Sequence, residues 1–157
     1  MKKAFTLLEL LVTILIMTVM VFAIYSVLNI AGAYFPTDTV LLDLQQQARQ
    51  TVEIITKESR EASASNITIS PIDVNNDVLI FSTPSKSGVS YYVNPANGQL
   101  IRQYPTGTMR VVANSISSLK FSLTGNLLIM TVQTQKNAQQ KTLTFQLKGR
   151  VRVRNEP

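Results

Sequence analysis

Leu10 to Tyr25 is an unbroken apolar run relieved only by Thr13 and Thr18, and no charged residue lies between Leu10 and Phe35. Extended to Leu28, the run approaches the roughly 20 residues that a helix needs to cross a bilayer core. Neither proline nor glycine interrupts it before Gly32. From Thr39 to Ala62 the pattern becomes amphipathic. Leu41, Leu44, Ala48, Val52, Ile55, Ser59 and Ala62 recur at spacings of three and four, while Gln45, Gln46, Arg49, Glu53, Lys57 and Arg60 take the other faces. This predicts a helical segment over 36–62 laid against a sheet. The stripe is too short and irregular for a sustained coiled coil. Ala33-Tyr34-Phe35 marks the expected membrane boundary, with Pro36 placed to open the second segment.

After Ser63-Ala-Ser-Asn66 the period drops to two. Val78–Phe81, Val89–Val93, Gln99–Arg102, Leu119–Leu123, Leu127–Val132 and Thr142–Leu147 read as strands. Asn94-Pro-Ala-Asn-Gly98, Thr106-Gly107 and Gly125-Asn126 mark turns between them. Short connections favour antiparallel hairpins. The expected class is α+β: a long N-terminal helix, membrane-spanning and then amphipathic, packed on a C-terminal antiparallel sheet over 66–157. There is no internal repeat.

Composition narrows the chemistry. At 157 residues there is room for one domain and an anchor. The chain contains neither cysteine nor histidine, which removes disulfide frameworks, most zinc sites, Cys/His nucleophile pairs and the Ser/His/Asp triad. No cofactor and no metal site is expected, and an enzyme is not the expected class. The net charge of +6 is too mild a surplus to argue for nucleic acid by itself.

Glu9 makes the apolar run informative. A carboxylate at the membrane centre costs about 2.5–3.5 kcal/mol. Lys2 and Lys3 precede the run, which places residues 1–4 on the cytoplasmic side and the bulk of the chain outside. Ala31-Gly32-Ala33 offers the small-residue pattern of a secretory signal, but the apolar core exceeds the roughly 7–15 residues usual for one, and an acid has no place there. A cut between Ala4 and Phe5 would leave a new α-amino group four residues from Glu9, about 6 Å along a helix and on the same face. A neighbouring copy's amine would serve equally well. Burying acid and amine together costs far less than burying either alone, so the pair would select correctly registered neighbours.

Lys2-Lys3-Ala4, followed by Phe5-Thr-Leu-Leu-Glu9 and an apolar helix, resembles the N-terminal signal of type IV pilins and type II secretion pseudopilins. The resemblance implies a leader over 1–4, removed by a prepilin peptidase after Ala4, N-methylation of Phe5, and an assembly role for Glu9 within a membrane-spanning helix over 5–31. Two positions depart from the usual pattern: Ala4 stands where the leader commonly ends in glycine, and the membrane helix lacks the proline of many major pilins. Further along, Tyr91-Tyr92, Gly98–Arg102, Leu119-Lys-Phe121 and Val151–Asn155 resemble minor pseudopilins and minor pilins. The implied partners are the peptidase, other pilin or pseudopilin subunits, an inner-membrane assembly platform and membrane lipid. The implied location is the cytoplasmic membrane, single-pass, with the head outside. The alternative is an exported or anchored enzyme or sensor domain.

Three further patterns stand in the sequence. Ser117-Ser-Leu-Lys120 matches S-x-x-K, but its lysine falls at a predicted strand start and Lys141-Thr-Leu lacks the glycine of K-T-G. Asp73-Val-Asn-Asn-Asp77 starts like a calcium loop, yet valine and proline occupy the positions that need glycine and a bidentate acid. Lys148, Arg150, Arg152 and Arg154 alternate on one strand face, a candidate contact for anionic lipid or nucleic-acid phosphate. Protection of an edge strand is the plainer reading of that row.

Overall fold

The computed structural model describes residues 6–138 and 141–154, so Ala4 and Phe5 lie outside the described residues. The chain divides into two units, Met1–Thr39 and Val40–Pro157. Helix α1 (Leu7–Ser59) contributes to both, and Pro36, expected to open a new segment, falls inside its helical assignment.

Within the first unit, Leu7–Ala31 is long and apolar enough to cross a membrane. Its 25 residues rise about 37 Å at 1.5 Å each, more than the roughly 30 Å of a hydrocarbon core. Its large side chains are exposed, from Leu7 and Leu8 through Ile30. The serine and threonine hydroxyls in this stretch are satisfied within the helix. Thr13 Oγ1 donates to the Leu10 carbonyl at 2.8 Å, Ser26 Oγ to that of Phe22 at 2.9 Å, and Thr18 Oγ1 to that of Ile14. Such back-bonding pairs these three hydroxyl hydrogens with backbone carbonyls, which is how an apolar span tolerates serine and threonine.

The second unit packs the later part of α1 against eight strands. They are β1 (Ile67–Pro71), β2 (Asp77–Thr83), β3 (Lys86–Asn94), β4 (Gln99–Gln103), β5 (Met109–Ala113), β6 (Ile116–Thr124), β7 (Leu127–Ala138) and β8 (Lys141–Arg152), with a 3₁₀ turn at Ala64–Asn66 leading in. Every ladder is antiparallel. The α+β, pilin-like class expected from the sequence is the class observed. All six expected strands are present, together with β1 and β5, which the alternation did not reveal. The strands form two sheets, β1-β2-β3-β4-β5 and β6-β7-β8, where a single sheet was anticipated.

The amphipathic stripe is the seam of the core. Leu44, Ala48, Ile55, Ser59 and Ala62 are buried, while Gln46, Arg49, Glu53, Lys57 and Arg60 are exposed. Thr51 belongs to the buried line as well. Its hydroxyl donates to the Gln47 carbonyl at 2.9 Å, and Ser59 Oγ donates to that of Ile55 at 2.6 Å, so neither buried hydroxyl is left unpaired. The stripe meets Leu79, Phe81, Val89, Tyr91, Val93 and Leu100 from the larger sheet and Leu119, Leu128, Met130, Val132 and Val151 from the smaller. Gly149 of β8 permits the close approach of α1: a Cβ there would stand 2.6 Å from Val52 Cγ1 and 3.0 Å from Met130 Cγ. Thr134, buried on β7, donates to the Leu44 carbonyl at 3.2 Å and joins sheet to helix by a polar contact.

Candidate functional site

At the start of α1 the backbone explains part of the Glu9 puzzle. Thr6 is the residue before the helix. Its Oγ1 accepts the Glu9 backbone N–H at 3.2 Å, and its carbonyl accepts the N–H of Leu10 at 3.2 Å. Thr6 is therefore the N-cap and Glu9 the third helical residue, the Thr-x-x-Glu spacing of a capping box. An acid there lies in the turn whose amides lack intrahelical partners and whose dipole end is positive. The Thr6 cap escaped the sequence reading, although its Thr-x-x-Glu spacing is visible in the sequence. Glu9 is exposed and has no ion pair among the described residues. It stands in a collar of exposed leucines: Leu7, Leu8, Leu10 and Leu11 are each more than half exposed. A carboxylate so placed gains a compensating charge only from outside this turn.

In the second unit the three further patterns resolve differently. Ser117 and Lys120 both lie on β6 but turn to separate partners. Ser117 Oγ donates to the Gln133 carbonyl at 3.1 Å, and Lys120 Nζ reaches Asp77 Oδ1 at 3.0 Å. No activated serine arises from that pair. The Asp73 carboxylate is spent on its own loop. Oδ1 accepts the N–H groups of Asn75 and Asn76 at 2.7 and 2.8 Å, and Oδ2 accepts Asn76 Nδ2 at 3.0 Å. The Asn76 side chain and the Asn75 amide hold this carboxyl below its ordinary range. The loop then stitches the two sheets together. Asn76 Oδ1 accepts the Leu119 N–H at 3.1 Å, Asp77 Oδ2 accepts that of Phe121 at 2.9 Å, and Ser118 Oγ donates to the Asn75 carbonyl at 2.7 Å. Among the described residues, no group of three or more acids, cysteines or histidines could hold a metal.

Lys148, Arg150, Arg152 and Arg154 are all exposed. The first three lie on β8, and Arg154 follows, its N–H bonded to the Ala62 carbonyl at 2.9 Å. Arg150 borders a groove with Arg49 and Glu53 of α1 and Arg60 just past its end, and Arg152 and Arg154 border an adjoining one with Arg60 and Glu61.

A charged cluster that the sequence reading missed sits where α1 meets the larger sheet. Glu58 accepts Arg102 Nε at 2.9 Å and an Arg102 Nη at 2.8 Å, a two-pronged pair, together with the Tyr91 hydroxyl at 2.6 Å and Lys86 Nζ at 3.2 Å. Burial pushes the Glu58 carboxyl up, but the bonds from Arg102, Tyr91 and Lys86 outweigh it and bring the group down to about 2. Burial, and then the bond to Glu58, push the Tyr91 hydroxyl up. The Glu58 bond also holds the Arg102 guanidinium above its usual value, against burial. These partners lie 28 to 44 residues from Glu58 along the chain, so no local pattern announces them. With no buried side-chain polar atom left unpaired among the described residues, the cluster is built to lock a helix to a sheet.

No curated protein and no solved structure matches this chain. Residues 1–25, the segment that holds the basic pair, Phe5, the Thr6 cap, Glu9 and most of the apolar span, match the family model described as the prokaryotic N-terminal methylation motif, which supports the recognition of this chain as type IV pilin-like or pseudopilin-like.

Proposed function

We propose that this chain is a minor prepilin-like structural subunit, cut between Ala4 and Phe5 by a prepilin peptidase, N-methylated on Phe5, and assembled into a type IV pilus or a type II secretion pseudopilus. Residues 1–4 are the leader, 5–31 the membrane-spanning assembly helix, 36–62 the amphipathic segment and 66–157 the head. Before assembly the subunit sits in the cytoplasmic membrane with its head outside the cytoplasm, and an inner-membrane platform and other subunits receive it. Its work is mechanical, by registered insertion, and calls for no active site.

The observation that carries this reading is the coincidence of two features within residues 1–25. The methylation motif matches there, and the apolar helix begins with an acid at its third position that has no ion-pair partner among the described residues. A neighbour's amine supplies the missing charge, and an incorrectly registered neighbour leaves an acid unpaired in lipid.

Mass spectrometry of the N-terminus of protein recovered from membranes tests the processing. N-methyl-Phe5 is the expected first residue. A start at Tyr34 would identify a secretory peptide, and retained Met1 a plain anchor; either would sink the reading. Glu9→Ala is expected to leave membrane insertion intact and to reduce incorporation into fibres. Incorporation at the wild-type level would remove the pairing role.

A further inference from the structure

From Val78 to Asn155 the sequence contains no aspartate or glutamate, yet it holds ten lysines and arginines. Folding concentrates several of them on one edge. β8 is an outer strand of its sheet and pairs only with β7 among the described residues. Its cations stand directly opposite uncharged β7 residues, Lys148 facing Thr131, Arg150 facing Ile129 and Arg152 facing Leu127. In the next row, on β6, come Lys120, Ser122 and Thr124. No acid shares this sheet face, and no ion pair to Lys148, Arg150, Arg152 or Arg154 occurs among the described residues.

The two edges of this sheet are treated differently. The β6 edge is sealed by the 73–77 loop, whose Asn75 carbonyl, Asn76 Oδ1 and Asp77 Oδ2 take the groups β6 presents. Among the described residues, the free backbone edge of β8 is bridged only past its end, where Ser63 meets Arg154, although α1 borders Leu147 and Arg150 across a groove. Blunting an edge against chance pairing takes a charge or two. The larger sheet's outer strands, β1 and β5, carry only Arg110 between them. The row on β8 exceeds that need.

We propose that the open edge of β8 docks an acidic β-strand of a different polypeptide, whose alternate carboxylates lie beside Lys148, Arg150 and Arg152. Side chains on one face of a strand repeat about every 7 Å, so an added strand with acids at alternate positions matches this row one to one. Directly opposite residues on paired strands come within about 5 Å, where guanidinium and carboxylate form paired hydrogen bonds. A second copy of this chain cannot be the occupant. Its own β8 would set like charges face to face, and Asp77, the one acid on the strands among the described residues, is already bound to Lys120 and the Phe121 amide. The residues lining the two adjoining grooves include no aromatic ring, so a stacking platform for single-stranded nucleic acid is missing there.

The test uses the full chain in nonionic micelles and fluorescence anisotropy at low salt. The probes are a short labelled peptide of alternating glutamate and threonine, the same peptide N-methylated at alternate backbone positions, and a thymidine oligonucleotide. Binding of the acidic peptide is expected, falling roughly tenfold or more in Arg150→Glu/Arg152→Glu. It is also expected to weaken when N-methylation removes the donors a ladder needs. The N-methyl comparison is made on the wild-type chain, so it stands even if the double variant folds poorly. Absence of peptide binding, equal binding of the two peptides, or tighter binding of the oligonucleotide would each overturn the assignment.

Discussion

Replacing Glu58 by glutamine probes the contact that joins α1 to the larger sheet. The ionised carboxylate accepts four hydrogen bonds, two of them from Arg102. Glutamine keeps one acceptor oxygen and turns the other into a donor facing donors. Depression of the carboxyl from 4.5 to about 2 corresponds to a ceiling of about 3 kcal/mol at roughly 1.4 kcal/mol per unit. The Glu58 side chain is 19% exposed and that of Lys86 38%, so water screens part of this, and a loss of about 1–2 kcal/mol near neutral pH is expected for Glu58→Gln. The sign of the pH dependence follows from the direction of the shift. Because the folded-state value lies below the ordinary one, ionised Glu58 favours the folded chain fully above about pH 4.5. That contribution disappears as the pH falls toward about 2. Chemical denaturation of both proteins in nonionic micelles, followed by circular dichroism at a series of pH values, reads the difference directly. Asp73, also held low, acts alike in both proteins and cancels. The gap between wild type and variant should be widest near neutrality and close in acid. Equal stability at neutral pH, or a gap that does not change with pH, would refute the reasoning.

Other substitutions separate packing from charge. Gly149→Val places side-chain atoms where Val52 and Met130 already stand, and thermal melting should show a loss of about 1–3 kcal/mol. Asp77→Ala deprives the buried Phe121 amide of its acceptor and should cost about 1–3 kcal/mol, with faster hydrogen exchange at that amide. Lys136→Ala breaks only the exposed pair with Asp43, whose side chains are 48% and 40% exposed, and should change stability by less than about 1 kcal/mol in the same melts. Thr6→Ala removes the cap on the Glu9 amide, and its exchange in micelles should accelerate while the rest of the span is unaffected.

Much of this molecule is legible from short stretches of its sequence. A long apolar run, the Lys-Lys-Ala-Phe stretch and an acid four residues after Phe5 are local features, and together they mark the N-terminal segment. The stripe from Leu44 to Ala62 was legible for the same reason: burial along one helix face imposes a period that a single segment displays. Strands β2, β3, β4, β6, β7 and β8 announced themselves by alternation. β1 and β5 did not, because each is short and sits at an edge, where Thr68, Ser70, Met109, Arg110 and Val111 are all exposed and the inside-outside contrast is weak.

What only the tertiary structure decided is which distant residues meet. The division into two sheets, the seal that Asn75–Asp77 places on β6, the space kept open by Gly149 and the gathering of Arg102, Tyr91 and Lys86 around Glu58 all depend on strand register and on where α1 lies against the strands. Periodicity reports whether a side chain faces inward. It carries no record of the partner it finds there, because that choice is made by pairings tens of residues apart, whose energies exist only once the chain has closed on itself.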